Sequence, residues 1–265
     1  MALLAISGKI SSGKDTVGRI IQYLTKRDLI PEIKSFEEFM NISHNETYHT
    51  YQIKKFADKL KDIVCLLIGC TREQLEDEDF KNTFLGEEWI RYGYANGFDK
   101  QYRNGEVKTV MNSVACSKER YELEERINWQ TAYKRKTTPR LLLQLLGTEC
   151  GRQIIHPNIW VNSLFVDYNC KHVKGGNFEK PKWVITDLRF PNELKAIKDR
   201  GGITIRVNRD RYFRTGDLRN DLQFKEHESE TALDDATFDY VIDNSGTIEE
   251  LIKKVKEILK QEKIK

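Results

Sequence analysis

No run of about 18 apolar residues occurs in this sequence, so none of it is long enough to cross a bilayer as a helix. No Cys-x-x-Cys pair occurs either. The five cysteines, Cys65, Cys70, Cys116, Cys150 and Cys170, are odd in number and scattered. That argues against a disulfide framework and suits free thiols in a reducing compartment. The histidines, His44, His49, His156, His172 and His227, show no metal-ligand spacing. An excess of one charge is also missing: 44 Lys and Arg against 41 Asp and Glu leave a formal net charge of +3. So small a surplus gives no argument for a nucleic-acid polymer as partner. The expectation is a soluble cytoplasmic protein with neither membrane nor nucleic-acid partner.

With 265 residues, 39% hydrophobic and 32% charged, the chain suits one large α/β domain, or a core carrying an insertion. Its most informative stretch is Ala5-Ile6-Ser7-Gly8-Lys9-Ile10-Ser11-Ser12-Gly13-Lys14-Asp15-Thr16. An apolar run, Leu3 to Ile6, enters it, and the helix-spaced residues Val17, Ile20, Ile21 and Leu24 leave it. Strand, glycine-rich turn and helix form the context that gives Gly-x-x-x-x-Gly-Lys its meaning as a phosphate loop. Gly8 and Gly13 let the backbone curl so that successive N–H groups, Ser11 and Ser12 among them, converge on phosphate oxygens. The helix start adds its positive end, and Lys14 supplies a mobile point charge to the outer phosphates. Asp15 stands where such loops carry Ser or Thr. A carboxylate beside a triphosphate is repulsive without a cation between them, so either Asp15 or Thr16 is expected to help hold Mg²⁺.

The first helix is predicted from about Lys14 to Lys26, and a second strand from Tyr51 to Phe56, weakened by Lys54 and Lys55. A helix opening at Ala57 places Leu60, Val64, Leu67 and Ile68 at intervals of three and four and stops at Gly69. Residues 71–136 have another texture, with an acidic stretch from Arg72 to Asp79 and then Trp89, Tyr92, Tyr94, Phe98 and Tyr102. This span reads as an insertion, with Val107–Val110 as one arm of a hairpin. Thr138 and Pro139 open a helix expected to end at Gly147, and a further helix carries Trp160, Leu164 and Phe165 inward. Strands are predicted at Trp183–Asp187, Ile203–Val207 and Tyr240–Ile242, with helices at Pro191–Arg200 and Ile248–Lys260, the last capped by Thr247. Strands alternating with helices predict a mostly parallel sheet covered on both faces, with ligands at the carboxyl ends of its strands.

At those ends lie the other candidates. Asp187 closes a hydrophobic strand, where a carboxylate is expected to support Mg²⁺ or its waters, the alternative being a cap on the following turn. Arg189 can grip phosphate through two parallel hydrogen bonds, and Glu193 can orient it or read a sugar or base. Residues 206–230 form an arginine-rich loop bearing Arg206, Arg209, Arg211, Arg214 and Arg219. Such a loop can close over a transferring phosphoryl group and exclude water. Arg209, Arg211 and Arg214 are the candidates for that charge clamp; spacing does not choose among them.

Several segments together resemble one family. They are Gly13-Lys14-Asp15-Thr16, Phe56-Ala57-Asp58-Lys59-Leu60-Lys61, Leu145-Leu146-Gly147-Thr148-Glu149, Ile185-Thr186-Asp187-Leu188-Arg189-Phe190-Pro191-Asn192-Glu193 and Asp243-Asn244-Ser245-Gly246-Thr247. As a set they resemble the phage-type deoxynucleoside monophosphate kinases, a P-loop nucleoside monophosphate kinase family, and Lys-Asp in the loop is itself similar to that family. The resemblance implies an adenylate-kinase-like core and ATP- and Mg²⁺-dependent conversion of deoxynucleoside 5′-monophosphates to diphosphates. It implies that Phe56, Lys59, Arg140, Gln144, Asp187, Arg189 and Glu193 belong to the monophosphate side. Asn244 and Gly246 would lie by the donor's adenine, and a homodimer in the host cytoplasm would be in keeping. A phosphomevalonate kinase-like enzyme, whose loop also carries Gly-Lys-Asp, and a non-catalytic nucleotide-binding protein are the rival expectations.

Overall fold

The structure, a computed structural model, describes residues 3–25, 33–42, 50–94, 132–169, 171–172, 178–209 and 231–264. The first elements are β1 (Leu3–Ser7), α1 (Lys14–Leu24), α2 (Phe36–Ile42), β2 (Gln52–Lys54), α3 (Asp58–Ile68), α4 (Arg72–Glu76), α5 (Glu78–Asn82) and β3 (Arg91–Tyr94). Next come β4 (Ala132–Arg135), α6 (Pro139–Gln144), α7 (Ile159–Phe165), β5 (Lys171–His172) and β6 (Phe178–Glu179). The chain closes with β7 (Trp183–Leu188), α8 (Pro191–Lys198), β8 (Ile203–Asn208), β9 (Tyr240–Asp243) and α9 (Ile248–Gln261). Two compact units emerge: Met1–Lys59 with Asn158–Lys265, and Leu60–Pro157.

The first unit holds a five-stranded sheet in the order β2-β7-β1-β8-β9, every pairing parallel. β1 is its middle strand, and all five of its residues are buried, as expected of a strand covered on both faces. Successive side chains alternate between the faces. Leu4, Ile6 and Val184 join Val17, Ile20 and Ile21 of α1 and Leu251, Val255, Ile258 and Leu259 of α9 in one buried cluster. Each of those side chains contributes roughly 1.5–3 kcal/mol by leaving water. On the opposite face Gly202 lies so close to Leu3 and to Ile197 of α8 that no Cβ fits there. Phe56, Phe165, Tyr168 and Trp183 make an aromatic group, with Tyr168 and Trp183 rings 4.8 Å apart. The predicted parallel α/β sheet flanked by helices is therefore present. α9 begins with a reciprocal cap, Thr247 accepting from Glu250 N–H and Glu250 from Thr247 N–H.

In the second unit Thr138 caps α6 by accepting from Leu141 N–H at 3.2 Å. The helix does not end at Gly147, as its glycine suggested. It passes into a π-wound stretch, Leu145–Ile155, in which Gly147 is buried and a Cβ would press on Leu60. The glycine serves a close approach, not a stop. Of the insertion, β3 and β4 pair antiparallel, Arg91 opposite Arg135 and Tyr94 opposite Ala132. The predicted arm Val107–Val110 lies outside the described residues.

Candidate active site

Because the sheet is parallel, Gly8, Lys55, Arg189, Arg209 and Asn244 all follow the carboxyl ends of their strands and share one edge. Between β1 and α1 the loop folds on itself, Ser12 N–H donating to Lys9 O at 3.1 Å. Two of its residues have left-handed backbones, Ser11 at φ 61° and Gly13 at φ 93°. A non-glycine residue holding positive φ is a mark of constraint at functional loops. The loop has no room for side chains at its glycines. A Cβ on Gly8 would overlap Ser12 Oγ and stand 2.8 Å from Val207 O; one on Gly13 would overlap the Asn244 amide. Ser12 Oγ is itself buried without a hydrogen-bond partner, an orphan at the place where a phosphate oxygen would be an acceptor. Lys14 is buried at the first turn of α1, with Nζ 3.4 Å from Lys9 O. Thr16, two residues on in the same first turn, is half-buried.

Asp15 is held from two sides. Its Oδ1 accepts from Thr186 Oγ1 at 2.8 Å and pairs with Lys55 Nζ at 3.0 Å. Burial works to raise its carboxyl pKa, but Lys55, the Thr186 hydroxyl and Lys14 outweigh it and hold the group below the ordinary value. Sequence reasoning missed Lys55, treating Lys54-Lys55 as a blemish in a strand. The signal was its position: a lysine just past a parallel strand emerges at the ligand edge.

Beside β9, Asn244 Nδ2 donates to Ser12 O at 2.8 Å and Asn244 N–H donates to Asn208 O at 2.7 Å. Asn244 thus ties the phosphate loop to the ends of β8 and β9. Gly246 lies in the turn leading to the α9 cap, where a Cβ would overlap the Glu250 carboxylate. Arg206 of β8 donates to Ser7 Oγ and Asp234 Oδ1, both at 2.9 Å, and Lys9 Nζ reaches Asp234 Oδ2 at 2.8 Å. Lys9, Arg206, Asn208, Asp234 and Phe238 line a cleft of about 350 Å³ there. Arg209 is exposed just after β8. Arg211, Arg214 and Arg219 lie outside the described residues.

Asp187 emerges on the other side of β1. Its Oδ1 accepts from Phe56 N–H at 2.8 Å and its Oδ2 from Ala57 N–H at 3.0 Å. Burial pushes its carboxyl above the ordinary value, against the opposing pull of those N–H groups, Arg189 and Lys55. Both oxygens serve the turn that starts α3, so capping accounts for Asp187 as the structure stands. Glu193 is buried and reaches back: Oε2 accepts from the Arg189 and Phe190 N–H groups at 2.8 and 3.1 Å. It orients the Arg189 backbone. Phe56 is buried edge-on against Phe165, and Lys59 Nζ is tied to Ser163 O at 2.6 Å and Asp167 at 3.0 Å. Arg140 and Gln144 belong to the second unit, where Arg140 pairs with Glu78 and Asn82. Among the described residues no cluster of three His, Cys, Asp or Glu side chains is placed to hold a metal, and no helix is long and apolar enough to cross a membrane.

A family model described as deoxynucleotide monophosphate kinase matches residues 2–255. The deoxynucleoside-5′-monophosphate kinase of Escherichia phage T5 is 26% identical over 211 residues, covering 74% of this chain and 72% of the relative. The deoxynucleotide monophosphate kinase of Enterobacteria phage T4 is 31% identical over 121 residues, 46% of this chain and 45% of the relative.

Proposed function

This chain belongs to the deoxynucleotide monophosphate kinase family, and we propose that Gly8 to Thr16 hold the triphosphate of ATP for transfer of its γ-phosphoryl group to a deoxynucleoside 5′-monophosphate. The reaction, ATP plus monophosphate giving ADP plus diphosphate, is the family's. The single observation that carries the site is the cradle: two glycines that tolerate no Cβ, an orphaned Ser12 hydroxyl and a lysine at a helix start. Backbone N–H groups and Lys14 take the phosphates, and the helix end adds its partial positive charge. No nucleophilic side chain is needed, since positioning and charge neutralisation supply most of the acceleration in phosphoryl transfer.

Asp15 and Thr16 suit Mg²⁺, which binds through one or two protein groups with water and substrate oxygens rather than in an all-protein cage. When bound it neutralises charge on the phosphates. Asp187 is not needed in that set, because its oxygens hold the Phe56–Ala57 turn. That turn, with Phe56, Lys59 and the Arg189 backbone fixed by Glu193, forms the monophosphate side in our reading. Asn244 and Gly246 flank the donor's base. Arg209, Arg211 and Arg214 supply the closing charge of the arginine-rich loop. A homodimer working in the host cytoplasm completes the proposal.

The purified protein with Mg·ATP is expected to phosphorylate one or more of the common deoxynucleoside monophosphates. Turnover with phosphomevalonate alone would favour the rival kinase, and ATP binding without acceptor-dependent turnover would favour a binding protein.

A further inference from the structure

A carboxylate in a phosphate loop is a physical problem. Asp15 sits one residue after Lys14, on the same helix turn that receives the anion, and each negative charge there opposes the phosphates. The remedy in this chain comes from outside the loop. Lys55, the residue after β2, brings Nζ to 3.0 Å from Asp15 Oδ1, while Thr186 of β7 donates to the same oxygen at 2.8 Å. Close packing sets the geometry. Gly18, one turn along α1, lies so near Thr186 that a Cβ would overlap its methyl group, with Ile53 of β2 at 3.6 Å. The helix carrying Asp15 is therefore pressed onto the two strands that supply its partners.

We propose that Lys55 is a positioning residue of the phosphate loop: its ammonium cancels the Asp15 charge and, with Thr186, fixes that side chain, so that the loop stays an anion site although it carries a carboxylate. The proposal rests on the loop being the nucleotide site. It assigns Lys55 an action through Asp15, not a direct grip on the acceptor.

The test is a double-mutant cycle on ADP binding in EDTA, measured by calorimetry, with melting temperatures recorded alongside. Lys55→Met is expected to weaken binding at least tenfold, equivalent to about 1.4 kcal/mol. Lys55→Arg keeps the charge and should bind within about threefold of wild type. Asp15→Asn in the Lys55→Met background should restore binding to within about twofold of Asp15→Asn alone, because no charge remains to cancel. Lys55→Gln runs beside the methionine variant, so that a folding failure of one leaves the cycle intact. An undiminished loss in the double variant would overturn the proposal and make Lys55 a direct ligand. No binding by the wild-type chain would overturn the phosphate-loop reading and this proposal with it.

Discussion

Asn244 donates to the carbonyl of Ser12 at 2.8 Å, and the same amide fills the space that a Cβ on Gly13 would take. The end of the last strand thus braces the first loop, across 232 residues of sequence. Asn244→Ala leaves the buried Ser12 carbonyl without this donor, at a cost of about 1–3 kcal/mol. We expect ATP affinity to fall about fivefold or more while the KM for the monophosphate changes little. Calorimetric titration of ATP, with steady-state kinetics on both substrates, checks this; an unchanged ATP affinity would remove the brace from the account.

Asp187 makes a contrasting prediction on the other side of β1. Replacing it with Asn points an amide NH₂ at one of the two N–H donors, Phe56 or Ala57. Leaving a buried donor unmatched costs about 1–3 kcal/mol. Asp187→Asn should therefore lower the melting temperature by several degrees and speed hydrogen exchange at the Phe56 and Ala57 amides. Protection at those two amides equal to wild type would show that the turn does not depend on Asp187.

Asp15 gives a pH dependence of known sign. Its folded pKa is lowered, so the stability it contributes is present above the ordinary carboxyl value and is lost as pH falls through the folded one. The Asp15 side chain is 59% exposed, so solvent screening limits the pair to about 1 kcal/mol or less. Asp15→Asn is expected to melt a degree or two below wild type at pH 7, with the gap closing as pH drops below about 4. A gap that widens on acidification would contradict the assignment. Thermal melts from pH 3 to 7 decide it.

Much of this was legible in the residues, and the reasons differ from element to element. The apolar run Leu3–Ile6, the two glycines and Lys14 announce a strand, turn and helix because each obeys a local rule, and β1 and α1 form where those rules put them. Thr138-Pro139 and Thr247 mark helix starts for the same reason. Gly147 misled because a glycine that ends a helix and one that admits Leu60 look alike in sequence. Glu193 left two readings open, orienting Arg189 or contacting a sugar or base; its carboxylate turns back onto its own helix start and accepts from the Arg189 N–H. Lys55 and Thr186 went unseen because their partner, Asp15, is 40 and 171 residues away, and charge pairing at that range is set by sheet order. The order β2-β7-β1 brings all three together, and no local pattern encodes it.

The central claim is that fixed positive charge at the Gly8–Thr16 loop drives transfer between two nucleotides. The most direct measurement is single-turnover transfer from labelled ATP to a deoxynucleoside monophosphate by Lys14→Ala, with the fold checked by circular dichroism. The account predicts a native-like spectrum and a rate reduced about a hundredfold or more. A wild-type rate from a folded Lys14→Ala protein would contradict it.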